Sequence, residues 1–235
     1  MWFGEVAAEV PFKMYSIEHA IVVAILLGGI MALYLSRKKL RGGETRWLEW
    51  LLAITLILFE VSYQLWMVVT DKWDASHALP LQLSNFSIIF VIVLLFTRSK
   101  LVFEIVFLAG IGGALQAMIT PVLSFGFPHF VFWHFFYTHM MVIWVAFYFL
   151  WCRGFSFTLT SVMRTMLFLN ILLPLIYFIN VLVGGNYWFI MRKPSGGSLL
   201  DFLGPHPWYI LGMEFAALAF FLLLWLIFGQ KNRRT

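Results

Sequence analysis

Charge is what this sequence is short of. Asp, Glu, Lys and Arg make up 11% of its 235 residues, where an ordinary soluble domain carries roughly 25%. A soluble fold needs that charge to cover its surface, so the shortage excludes one. Cysteine is nearly absent as well. Cys152 stands alone, which excludes an intramolecular disulfide and any Cys-x-x-Cys metal or redox pair. No basic patch with a fold of its own exists either. The positive residues are scattered over short loops between apolar runs, so the formal charge of +5 is no nucleic-acid footprint. The stretch from Met1 to Ser16 carries Glu5 and Glu9 against a single Lys13. That is the wrong pattern for a cleaved secretory leader, so the first apolar run is expected to be retained.

What the chain does have is apolar length, with 62% of its residues hydrophobic. A helix crossing a hydrocarbon core about 30 Å thick needs about 20 apolar residues. Runs of that kind predict spans at 17–35, 47–69, 79–97, 101–123, 130–151, 161–183 and 207–228. The expected fold class is all-α, a polytopic membrane protein with seven transmembrane helices in a single membrane domain over residues 1–235. Positive loops stay on the cytoplasmic side. Arg37, Lys38, Lys39, Arg41, Arg46, Arg98, Lys100, Arg153, Arg164, Lys231, Arg233 and Arg234 fall on one side, and Lys13, Lys72, Arg192 and Lys193 on the other. The alternation predicts the N-terminus out, the C-terminus in, and a multi-pass place in the cell membrane.

Polar groups are costly in hydrocarbon, so their depth marks where a cavity or chemistry would lie. At about 1.5 Å per residue, Ser84 falls roughly 8 Å below its outer span end, His134 roughly 6 Å, His139 roughly 14 Å and Glu214 roughly 10 Å. Glu60, Gln64, Gln116, Thr120 and Asn180 fall in the outer half by the same ruler, and all six histidines lie at or above that layer. The clear intramembrane polar residues of the cytoplasmic half are Glu104 and Asn170. The layer reads as the lining of a cavity open toward the outer leaflet, although any one of these groups can instead satisfy a neighbouring backbone. His129, His134 and His139 are spaced by five, about 140° apart around a helix, so one helix offers no histidine pair to one ion. No metal site and no cofactor are expected.

Several motifs run in order along the chain: LPLQLSN from Leu79, GIGGALQAMITPVLSFGFPHF from Gly110, FFYTH ending at His139, GGNYWFIMRKP from Gly184, and SLLDFLGPHPWYIL from Ser198. From span two to span seven the sequence resembles the YwaF-type family of bacterial integral membrane proteins. That family is similar to eukaryotic phospholipid transacylases of the TMEM class, and more distantly to androgen-induced hydrolases of lipid esters. The resemblance implies a nucleophile near the outer end of one helix and a histidine on another, acting on membrane phospholipids. Where the family pattern is LPLHLC, this chain has Gln82 for the histidine and Ser84 for the cysteine. A serine needs a neighbouring base more than a thiol does.

The roles then expected are Ser84 as nucleophile, His139 as base with His134 its rival by depth, and Glu60 or Glu214 orienting the imidazole. Gln82, Asn85 or Gln116 would stabilise an oxyanion, and Asn180 joins them in the polar layer. Arg192 and Lys193, in an otherwise uncharged outer loop, would hold a head-group phosphate or else form a solvated turn. The expected partners are phospholipids and not nucleic acid. Two further readings stay open: a transporter or small-ligand-binding protein using the same cavity, and a non-catalytic member lacking the family's thiol. A rhodopsin is excluded, because span seven contains no lysine.

Overall fold

The computed structural model describes residues 2–4, 6, 9–194 and 199–230; Glu5, residues 195–198, Lys231, Arg233 and Arg234, used above, lie outside the described residues. Among the described residues seven long helices follow one another: α1 Ile17–Gly42, α2 Arg46–Val69, α3 Leu83–Thr97, α4 Lys100–Ile119, α5 Phe130–Trp151, α6 Leu159–Val183 and α7 Trp208–Phe228. Six of them are long and apolar enough to cross a membrane, and α3 is shorter. Among the described residues there is no strand, only an isolated bridge between Pro11 and Phe125.

The expected spans differ from the helices by more than two residues at three ends, each for a local reason. The third was expected from residue 79, yet α3 starts at Leu83 and has 15 residues. Pro80 lacks an amide hydrogen and pushes the residue before it out of the helical region. The fourth stops at Ile119 rather than 123 because Thr120 precedes Pro121 and takes φ −127°, ψ 69°. The first runs past 35 to Gly42, where Lys39 and Arg41 sit in the last turn and favour the helix's negative end. Within α4 the turn Val106–Gly110 is π-helical.

The chain forms two compact units. The first comprises Met1–Trp73 and Ser87–Phe155. At its centre is α5, whose sequence is apolar around its whole circumference, as a fully surrounded helix requires. In its most apolar stretch 67% of residues are buried, against 17% for α1, and α1, α2 and α4 all pack on it. The Trp144 indole N–H donates to the Leu26 carbonyl at 3.0 Å. Gly29 lies one turn on, where any Cβ would collide with that indole, so glycine sets the spacing between α1 and α5.

The second unit comprises Asp74–Phe86 and Ser156–Thr235. Thr158 and Ser161 form a capping box at the start of α6, and Gly184 ends that helix in the left-handed conformation at φ 65°. Pro174 interrupts the α6 ladder, since it has no amide for the carbonyl four residues earlier, that of Asn170. Ile176, Tyr187 and Ile190 form this unit's core, with Leu79, Leu81, Phe86 and Ile210 packed on it.

Candidate functional site

In the first unit, α2 and α5 bring a carboxylate to an imidazole. His134 Nε2–H donates to Glu60 Oε1 at 2.8 Å, with side-chain exposures of 8% and 18%. Tyr63, one turn from Glu60 on the same face of α2, stacks on the ring with centres 4.3 Å apart. His139, also buried, donates Nδ1–H to its own helix at the Phe135 carbonyl, 2.6 Å away. A carbonyl can only accept, so Nδ1 carries the proton and Nε2 keeps the lone pair. The sequence reading had Glu60 or Glu214 orient His139. The structure gives Glu60 to His134 and a backbone carbonyl to His139.

Two other histidines are fasteners. His19 Nε2–H donates to Met118 O at 2.8 Å, and its Nδ1 accepts from the Tyr15 amide at 3.1 Å. His129 caps α5 by accepting from the Val131 amide at 3.1 Å, while its Nε2–H donates to Gly4 O at 3.0 Å. Burial pushes the His129 imidazole below its usual pKa, consistent with a neutral ring using one nitrogen as acceptor. His134 and His139 each commit one nitrogen to a protein acceptor. Gln116 is exposed on α4. Cys152 follows the last residue of α5; it is buried, and that burial pushes its thiol up.

In the second unit, Ser84 and Asn85 occupy the first turn of α3. The tetrapeptide before it, Leu79 to Gln82, is a turn, closed by the Leu81 amide donating to the Leu79 carbonyl at 2.7 Å, and the Tyr187 loop meets others of its polar groups. Tyr187 is fully buried; its hydroxyl accepts from the Leu79 amide at 2.9 Å and donates to the Ala75 carbonyl at 2.8 Å. The Trp188 indole N–H donates to Leu81 O at 2.8 Å, and the Trp188 amide donates to Gln82 Oε1 at 3.2 Å. Asn180 holds the same loop by both faces of its amide: Nδ2 donates to Tyr187 O at 3.0 Å, and Oδ1 accepts from Tyr187 N at 2.7 Å. Gln82 and Asn180 thus bind protein backbone. Trp188 and Phe189 are left-handed at φ 60° and 53°, a strained conformation for bulky residues. The hydrogen bonds just described hold Trp188 there, and Tyr209, whose hydroxyl donates to the Phe189 carbonyl, holds its neighbour.

Elsewhere in this unit, Asn170 Nδ2 donates to Glu214 Oε2 at 2.9 Å. The depth ruler had put these two in different halves; the hydrogen bond sets them level, so the ends of α6 and α7 are staggered. Arg192 is exposed, and Asn186 holds its backbone through hydrogen bonds at 2.9 and 3.1 Å. Lys193 Nζ lies 3.9 Å from Asp201 and 5.4 Å from the Tyr209 ring centre. Among the described residues no three His, Cys, Asp or Glu side chains gather in a metal-like group.

Sequence reasoning missed Tyr63, Tyr187 and Tyr209. For Tyr187 the signal available was the GGNYWF motif, where two glycines and an asparagine end the helix before three large aromatics.

The TMEM164 family matches residues 14–225. The chain belongs to the TMEM164 family. No curated protein and no solved structure matches it. With six apolar helices of spanning length, this member of the TMEM164 family is a multi-pass membrane protein.

Proposed function

We propose that this protein transfers or hydrolyses acyl chains of membrane phospholipids. The observation that carries the reading is the Glu60–His134 hydrogen bond, a carboxylate and an imidazole paired between two membrane helices, where ionisable groups are rare without a task. In the reaction, the Ser84 hydroxyl adds to an ester carbonyl while His139 or His134 takes its proton. The tetrahedral intermediate collapses, the protonated imidazole returns the proton to the departing lipid alcohol, and an acyl-serine remains. A second lipid hydroxyl, or water, then takes the acyl group. The position of Ser84 supports this role, because amides of a helix's first turn lack intrahelical acceptors and suit a developing oxyanion. Asn85 and Gln116 are further donors. The reading extends the relationship to the bacterial YwaF-type proteins and the lipid-ester hydrolases.

The same reading takes α3 as a seventh crossing, with the N-terminus outside and the C-terminus inside the cell membrane. Its 15 residues reach only about 22 Å at about 1.5 Å each. That is short of a core of about 30 Å, so in this reading the turn from Leu79 to Gln82 completes the crossing at membrane depth. Non-helical backbone at membrane depth must be satisfied by protein, and the Tyr187 and Trp188 contacts do so. Arg192 and Lys193 are proposed to steady the head-group phosphate.

Purified protein in liposomes with acyl-labelled phospholipid tests the assignment. Ser84→Ala is expected to lose at least about a thousandfold in turnover, and His139→Ala or His134→Ala comparably. Turnover undiminished in Ser84→Ala overturns the reading. Solute movement with unaltered lipids would instead establish the transporter.

A further inference from the structure

A second cluster of ionisable groups lies in the first unit, at the ends of α1, α3 and α5. Glu49, in the first turn of α2, is fully buried. Arg98 grips it with two hydrogen bonds, Nε to Oε2 at 2.7 Å and Nη2 to Oε1 at 3.0 Å. Arg46 Nη1 donates to it at 3.0 Å, and Arg153 Nε lies 3.1 Å from Oε1. Tyr148 O–H donates to it at 2.7 Å, with Thr45 Oγ1 2.6 Å behind. One carboxylate therefore faces three guanidinium groups. Arg46 has other acceptors, the carbonyls of Leu95 and Phe96 at the end of α3. Among the described residues Arg98 and Arg153 have no such second acceptor, although Arg153 is only 15% exposed.

Beside them is a cleft of about 670 Å³ lined by Arg41, Arg98, Cys152, Arg153, Gly154 and Phe155. None of these is acidic. Arg41 is fixed by its Nε, which donates to the Trp151 carbonyl at 2.7 Å, and Arg153 is also held through Nε. A guanidinium has five N–H donors in a flat fork, so anchoring at Nε leaves the terminal nitrogens to meet a ligand. Three arginines converging on an open cleft, with the Glu49 carboxylate behind them, leave an excess of positive charge there among the described residues.

We propose that this cleft binds a phosphate group, held by Arg41, Arg98 and Arg153. Phosphate offers several acceptor oxygens and at least one negative charge, matching guanidinium forks that bind it two bonds at a time. The volume takes a phosphate with its glycerol, so either an anionic lipid head group entering from the bilayer or a free phosphate entering from water supplies the chemistry. The site is independent of acyl transfer and of Ser84.

The test uses the full-length protein in detergent, stripped of lipid, and reads the thermal midpoint together with bound ligand by native mass spectrometry. Four probes are offered: inorganic phosphate, glycerol 3-phosphate, phosphatidate and diacylglycerol. Phosphatidate is expected to raise the midpoint and remain bound while diacylglycerol does neither. Arg41→Gln, which leaves the Glu49 contacts in place, is expected to weaken binding at least about tenfold, as losing a charge-assisted hydrogen bond does; Arg41→Lys falls between. Saturation by inorganic phosphate or glycerol 3-phosphate identifies the free ligand as the source, and retention of phosphatidate alone identifies the lipid. Equal binding of phosphatidate and diacylglycerol, or equal affinity in wild type and Arg41→Gln, overturns the proposal. So does the absence of binding by all four.

Discussion

Glu60 and Tyr63, one turn apart on α2, address the same imidazole: the carboxylate reaches His134 Nε2 at 2.8 Å and the phenol ring lies on its face at 4.3 Å. One helix thereby fixes both the rotation and the tilt of a ring carried by another. The tautomer follows too, because the proton sits on the nitrogen facing the carboxylate.

This pair should be measurable apart from any activity. Glu60→Ala is expected to lower unfolding stability by about 2 kcal/mol, the range for a hydrogen bond to a charged group. Glu60→Gln, which still accepts from Nε2–H, should lose about 1 kcal/mol. A double-mutant cycle with His134→Ala, followed by thermal melts, separates the coupling from the effect of each deletion. Zero coupling would show that the two side chains are mere neighbours.

Asn180 is the fastener of the loop between α6 and α7. Replacing it with alanine leaves a buried Tyr187 amide and carbonyl without partners, a loss of about 2–4 kcal/mol if each is left unsatisfied. Asn180→Asp keeps the acceptor and should lose less. Cleavage by trypsin after Arg192, timed by gel, should quicken in the alanine variant well before the helices melt.

Acidification should loosen the start of α5. His129 is neutral in the fold, with a lowered pKa caused first by burial. An unfolded histidine titrates near about 6.5, so below that pH the unfolded chain binds more protons and stability falls. The stabilising effect is complete above about pH 6.5 and is lost as pH drops toward the folded value. A protonated Nδ1 would also point its hydrogen at the Val131 amide. Between pH 7.5 and 5.5 the thermal midpoint of wild type should fall about 2–4 °C further than that of His129→Asn, which caps without titrating. Parallel curves would refute it.

Glu49 should be intolerant of change. Glu49→Ala leaves three arginines facing one another without their carboxylate, and breaking a buried ion pair by removing one partner costs about 3–5 kcal/mol. Expression yield and midpoint should both collapse, whereas Glu44→Ala in the exposed loop before α2 should change neither.

Among the described residues hydropathy located the seven long helices, and for α5 it gave both ends, because a run that is apolar on all sides leaves little else to read. It failed where a helix boundary is not a polarity boundary. The basic tail of α1 remains helical beyond its apolar run, and Leu79 to Gln82 look apolar yet cannot be helical beside Pro80. At the site, depth named Glu60, His134, His139 and Glu214 but not their partners. Pairing depends on helix rotation and stagger, and counting residues from each span's end carries neither. The Glu49 cluster is hidden for a related reason: basic residues near span ends read as topological signals, and nothing in their spacing says that three of them turn inward to one acid.

Pro174 withholds the amide that would receive the Asn170 carbonyl, while the Asn170 side chain reaches across to Glu214. Backbone weakness and polar attachment thus coincide at one level of α6. The side-chain bond to α7 therefore braces α6 at the level where its own ladder lacks a bond, below the stretch that ends in the Tyr187 loop.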